Sequence, residues 1–272
     1  MFKCNFWIFL IISTFLFFAC GKGEKEAAKT EAEEEVAAEE EIPMAEEIAG
    51  YTAMKVTNGG TIKGRVTYAG AIPPKIKLKI TTDEHICGLE EHYKEDLVVS
   101  QNKGLANVVV KIANINKGKS ISTLGKKFVL DQVGCKFVPH IAMVPAGKEL
   151  TILNSDGILH NVHTHSELNE PINVAQPGFQ KEMTQVFEEP EIFMVTCDVH
   201  EWMKGYIVVM AHPYYAITDE NGNFELTDAP AGTYTLEYWH ETLGTATQEV
   251  TVPAGGVVEA NYEFPAATAS LH

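Results

Sequence analysis

Beyond residue 50 the chain never sustains an apolar period of 3.6 residues, so its core has to be built from strands. Short runs rich in Val, Ile, Thr and Tyr recur between turn residues, at 61–68, 108–112, 149–154, 192–197 and 206–210. β-Branched and aromatic side chains fit a pleated, half-buried surface, and runs of this length match single strands of a sandwich. Further on, residues 217–226 bracket Asn221-Gly222, a pair whose tolerance of positive φ predicts a tight β-hairpin. Alternating runs at 229–238, 249–252 and 257–264 complete an all-β reading.

The N-terminus is different in kind. Lys3 precedes an apolar run of 13 residues, 6–18, closed by Ala19-Cys20-Gly21. Crossing a bilayer core takes about 20 residues, so this run reads as an export signal and not a span. Leu16-Phe17-Phe18-Ala19-Cys20 resembles a bacterial lipoprotein signal. That resemblance implies that residues 1–19 are removed, that Cys20 is acylated, and that the mature protein is exported and lipid-anchored to a bacterial membrane, on the periplasmic or cell-surface side. Residues 21–49 hold eleven Glu against three Lys and no aromatic residue, a composition that cannot form a core. Residues 20–50 therefore read as a disordered or helical acidic tether. Of the formal charge of −16, −9 falls on residues 51–272, a moderately acidic surface that argues against nucleic acid as a partner and suits a basic redox protein.

With the signal gone, the chain keeps Cys20, Cys87, Cys135 and Cys197. If Cys20 carries lipid, three thiols in an oxidising compartment leave one over, either reactive or bound to something. Cys87 and Cys135 read as a disulfide or as two separate buried thiols, and export favours the bond. Cys197-Asp-Val-His200-Glu-Trp-Met203 sets a thiolate, an imidazole and a thioether within seven residues, between two strand-like runs. His160-Asn161-Val162-His163, following the run at 149–154, supplies a second imidazole from a distant part of the chain. Both oxidation states of copper accept such a set, a soft thiolate with two imidazoles and a weak axial thioether. Zinc takes the same donors.

Cys197-x2-His200-x2-Met203, followed by Lys204-Gly205-Tyr206-Ile207-Val208-Val209, resembles the amicyanin-like cupredoxins, and His160-Asn161-Val162-His163 resembles their upstream ligand motif. The resemblance implies a Greek-key cupredoxin sandwich over residues 127–210. It also implies one type 1 copper held by His160, Cys197, His200 and Met203, with Asn161 bonded to the cysteine loop behind them. Electrons would pass through an exposed edge of His200. His163 and His165 share a face of an extended strand and stand as an alternative metal pair or a replacement for His160. A second likeness frames the first. Gly60-Thr-Ile-Lys-Gly-Arg-Val-Thr-Tyr-Ala-Gly70 and the stretch from Thr218 to Tyr234 are similar to carboxypeptidase regulatory-like domains. They imply a prealbumin-like β-sandwich from residues 51–126 and 211–272, with the cupredoxin sandwich inserted in it or packed on it.

Any one of the ten histidines is more often a surface or hydrogen-bonded residue than a ligand, and Met203 alone would be core. The combination reverses those odds. His140 and His240 read as structural, and Trp202 as packing over the metal loop. The expected function is single-electron transfer with an extracytoplasmic redox protein. A copper store or chaperone, or a surface binding or scaffolding module, are the alternatives. Four protein ligands leave a metal no open position for substrate, and neither a nucleophile elbow nor a phosphate loop occurs, so no enzyme is expected.

Overall fold

The computed structural model describes residues 48–125 and 127–266. The signal, Cys20 and residues 20–47 of the tether lie outside the described residues. Regular structure among the described residues is almost all strand, interrupted by the four-residue helix Glu84–Cys87 and a 3-10 turn at Ile121–Leu124. The all-β expectation holds, and the strands make two sandwiches.

In the first, a five-stranded sheet runs in the order Asn173–Gln176, His160–Thr164, Ile192–Thr196, Lys204–Met210 and Ile141–Pro145. A four-stranded sheet of Glu182–Val186, Glu149–Asn154, Phe128–Gln132 and Phe137–Val138 accompanies it. Leu130, Phe137, Leu150 and Ile152 from this sheet share one buried cluster with Val162, Phe193, Val195, Ile207 and Val209 from the other, so the two sheets face each other.

The second sandwich pairs a sheet of Tyr215–Ile217, Val109–Ile112, Gly232–His240 and Gly244–Val252 with one built around Gly60–Tyr68. Gly60–Tyr68 is flanked by Asn223–Ala229 and, in parallel, by Val257–Glu259 and Tyr262–Phe264. Gly60–Tyr68 and Val109–Ile112 precede the first sandwich in sequence, while their hydrogen-bonded partners follow it. The first sandwich is thus inserted in the second.

This nesting explains a run that alternation alone would not predict. Tyr206-Ile-Val-Val-Met210 is apolar at every position because both faces of the strand are covered. Ile207 and Val209 point into the first sandwich, whereas Val208 and Met210 meet Val109 and Ile141 in a small cluster joined by Trp239 of the second. In Asn223–Ala229, by contrast, Phe224 and Leu226 are buried between exposed neighbours, and a bulge with Asp228 at φ 57° lets Ala229 turn inward as well.

The hairpin expected at 217–226 does not form. Tyr215–Ile217 pairs with Val109–Ile112 and Asn223–Ala229 pairs with Gly60–Tyr68, so the two strands belong to opposite sheets. The turn is nevertheless well satisfied. Gly222 sits at φ 82°, and one Asp219 carboxylate oxygen accepts from the N–H groups of Asn221 and Asn223, both at 2.8 Å. An Asx turn closes the backbone locally whichever sheet the chain enters next.

Candidate metal centre

His160 opens the strand His160–Thr164, and Cys197 is the first residue past the neighbouring strand Ile192–Thr196. Their antiparallel register pairs Thr196 with His163, which carries Cys197 back toward the start of its neighbour. The loop after Cys197 turns tightly: Met203 N donates to His200 O at 2.8 Å, and Cys197 N to Met203 O at 3.3 Å. His200 is thereby folded over the cysteine. The Nδ1 atoms of His160 and His200 lie 3.0 Å apart, and Cys197 Sγ is 3.9 Å from the first and 3.7 Å from the second. His160 and His200 are 0% exposed, Cys197 and Met203 1%. The chain thus brings together His160, Cys197 and His200, and buries Met203 on the same loop.

What lies outside the two rings decides what faces inward. His160 Nε2 is 2.9 Å from Asp156 Oδ2, and His200 Nε2 is 3.0 Å from Asp83 Oδ2. A carboxylate only accepts, so each Nε2 carries the hydrogen and donates it. In the neutral ring each Nδ1 then has its lone pair turned inward. Two such lone pairs 3.0 Å apart beside a buried sulfur repel unless a proton or a cation lies between them. Two nitrogens and a sulfur with these spacings can each sit about 2.0–2.3 Å from one common point, the reach of metal–imidazole and metal–thiolate bonds. A soft thiolate with two imidazoles fits copper or zinc, and a buried methionine on the same loop tips the set toward copper.

The electrostatics agree with a charged centre. Burial works against a charge on His160, but its Asp156 and Cys197 contacts outweigh that and raise the pKa to about 9. Burial likewise opposes a thiolate at Cys197, yet the His160 contact and the Asn161 N–H hold its pKa below the ordinary value. Asp156 is also held low despite its burial, by His160 and by N–H bonds from Cys135 and Gly134. At His200 burial prevails, and the pKa falls even with Asp83 alongside.

Asn161 binds the site from behind. Its N–H lies 3.4 Å from Cys197 Sγ, its Oδ1 accepts from Asp198 N, and its Nδ2 donates to Asn173 Oδ1 at 2.6 Å. His163 and His165 are not part of that group of donors, and their tilted rings lie beside each other with centroids 4.4 Å apart. His163 Nδ1 contacts Asp198, and His165 Nε2 contacts Thr196 Oγ1. Cys87 and Cys135 form a disulfide with both residues buried, leaving Cys197 as the free cysteine of the described residues. Cys20 lies outside the described residues.

One expectation is overturned. His200 has no exposed edge, because Asp83 sits on its Nε2 and the Trp202 ring stands 5.2 Å away. Neither aspartate stood out in the sequence. Asp156, four residues before His160, was within reach of a search for carboxylates near the ligand motif. Asp83, 117 residues from its partner, carried no such signal.

No protein-family model matches the chain, and no curated protein sequence does. Among solved structures, the copper-containing nitrite reductase from Thermus scotoductus SA-01 is similar over 31% of this chain and only 22% of its own length, at 22% identity and a TM-score of 0.29. A Cu(I) amicyanin variant is similar over 31% of this chain and 82% of its own, at 21% identity and a TM-score of 0.28. For a second, reduced amicyanin variant the figures are 32%, 84%, 21% and 0.29. These neighbours are cupredoxins, and the likeness is confined to about a third of this chain.

Proposed function

We propose that the inserted sandwich is a blue-copper domain that holds one copper through His160, Cys197, His200 and Met203 and carries single electrons. The observation that supports this best is the convergence of two imidazole lone pairs and a sulfur in a fully buried site. Bound copper supplies a one-electron couple. The protein keeps the donors still: carboxylates fix both rings, the Asn161 N–H steadies the sulfur, and the closed loop fixes His200 against Cys197. Donors held in this way need little movement when the metal charge changes. Four protein donors in this reading leave the copper no open position for a substrate, which suits a carrier and not an enzyme. In this reading the chain is exported, lipid-anchored at Cys20 on its acidic tether, and meets a basic redox protein outside the cytoplasm.

The test is titration of the purified chain with Cu(II), followed by ascorbate and reoxidation. One equivalent is expected to give an intense thiolate-to-copper band that bleaches and returns. A chain that binds no copper, or binds it without the band, would contradict the reading. The covered His200 edge favours one competing reading, a copper store or chaperone. That reading expects Cu(I) bound without reversible voltammetry.

A further inference from the structure

His200 is touched from outside by a segment that the ligand motifs do not include. Asp83 stands at the head of the helix Glu84–Cys87. An aspartate there ordinarily has extended backbone and turns its carboxylate onto the first N–H groups of its own helix. Asp83 does neither: its side chain makes no capping bond, its backbone is left-handed at φ 51°, and its Oδ2 lies 3.0 Å from His200 Nε2. Such a conformation in a residue with a side chain persists only where the surroundings enforce it. Here they do. Cys87 N donates to Asp83 O at 2.9 Å, and Cys87 is bonded to Cys135. Cys135 gives its N–H to Asp156, the carboxylate on His160, and its carbonyl accepts from Trp202 Nε1 at 3.2 Å. Gly134 and Cys135, at φ 60° and 51°, turn two successive N–H groups onto the Asp156 carboxylate. One disulfide therefore links the outer supports of both histidines.

Building on the copper reading of this site, we propose that Asp83 is the positioning residue of His200 and that segment 83–87 is a fixed cover over the metal. Its carboxylate holds the Nε2–H, makes the ring a stronger donor to the more highly charged ion, and closes the edge by which solvent reaches the centre. Copper is retained in both oxidation states, and electrons enter or leave by a path other than a bare His200 edge.

The full-length chain loaded with one copper tests this. Asp83→Asn keeps an acceptor oxygen and drops the charge, whereas Asp83→Ala drops both and opens the edge. Losing an outer-shell partner weakens metal binding about tenfold or more. Falling on Cu(II) and not on Cu(I), a tenfold loss in Asp83→Asn raises the potential by about 59 mV. Asp83→Ala is expected to raise it too, and to release Cu(I) to bathocuproine disulfonate about tenfold faster than wild type. A role confined to folding would lower stability and leave the potential in place. An unchanged potential in Asp83→Asn overturns the proposal, as does an unchanged release rate in Asp83→Ala. The asparagine variant preserves size and acceptor, so it decides the matter even where the alanine variant fails to fold. A wild-type chain without the thiolate band overturns the copper reading itself, and that result is seen before any variant is made.

Discussion

Asn161, on the strand that carries His160, is tied to the cysteine loop twice, its backbone N–H to Cys197 Sγ and its amide oxygen to the Asp198 N–H. Asn161→Ala leaves the Asp198 N–H without its acceptor, at a cost of about 1–3 kcal/mol, measurable by urea denaturation of the metal-free chain. Cys197→Ser is expected to abolish the thiolate-to-copper band altogether, since a hydroxyl cannot replace the soft donor. Met203→Leu is expected to keep the band and raise the potential, because it removes a weak axial thioether and leaves the trigonal donors. Titration with copper followed by voltammetry separates the two outcomes. These residues were legible in the sequence because cysteine, histidine and methionine at tight spacing are rare by chance. Asp83 and Asp156 were not, since a carboxylate is a common residue whose meaning depends on what it faces.

The same contrast between local and distant information runs through the elements. Strands such as Glu149–Asn154 followed from their β-branched and alternating character, which is a property of the segment itself. The missing hairpin did not, because the Asp219 turn is locally complete while sheet membership is settled by partners more than a hundred residues away. The Cys87–Cys135 bond closes a separation of 48 residues, and in the chain-entropy account its removal costs about 4 kcal/mol. The Cys87→Ser/Cys135→Ser chain should show that loss in chemical denaturation. Glu191 pins another loop, accepting from the N–H groups of Glu167, Leu168 and Asn169. Burial opposes its charge, but these bonds prevail and hold its pKa below 4.5. A depressed carboxylate contributes stability above its unfolded value and loses it as pH falls through the folded one. Amide protection factors at 167–169 should therefore hold steady near neutral pH and fall below about pH 4.5, and Glu191→Gln should remove that dependence.

At the scale of the molecule, the described residues lie in one compact unit in which one sandwich interrupts the other. Their junction has an apolar part, with Val208 and Met210 of the inner sandwich against Val109 of the outer, and a charged part, where the buried Glu241 carboxylate of the outer meets His140 and Lys204 of the inner. The covering segment 83–87 leaves the outer sandwich between two of its strands and is bonded into the inner one at Cys135. Ties of this kind couple the two cores, so unfolding followed by far-ultraviolet circular dichroism and by the copper band should give coincident transitions. Two separate transitions would show that the sandwiches unfold independently. In the proposed site one sulfur and two imidazole nitrogens share a single copper. X-ray absorption at the copper edge of the loaded chain tests it most directly. One sulfur and two nitrogen scatterers are expected, all about 2.0–2.3 Å from the metal, with the sulfur absent in Cys197→Ser. A shell of nitrogen and oxygen alone in the wild-type protein would contradict it.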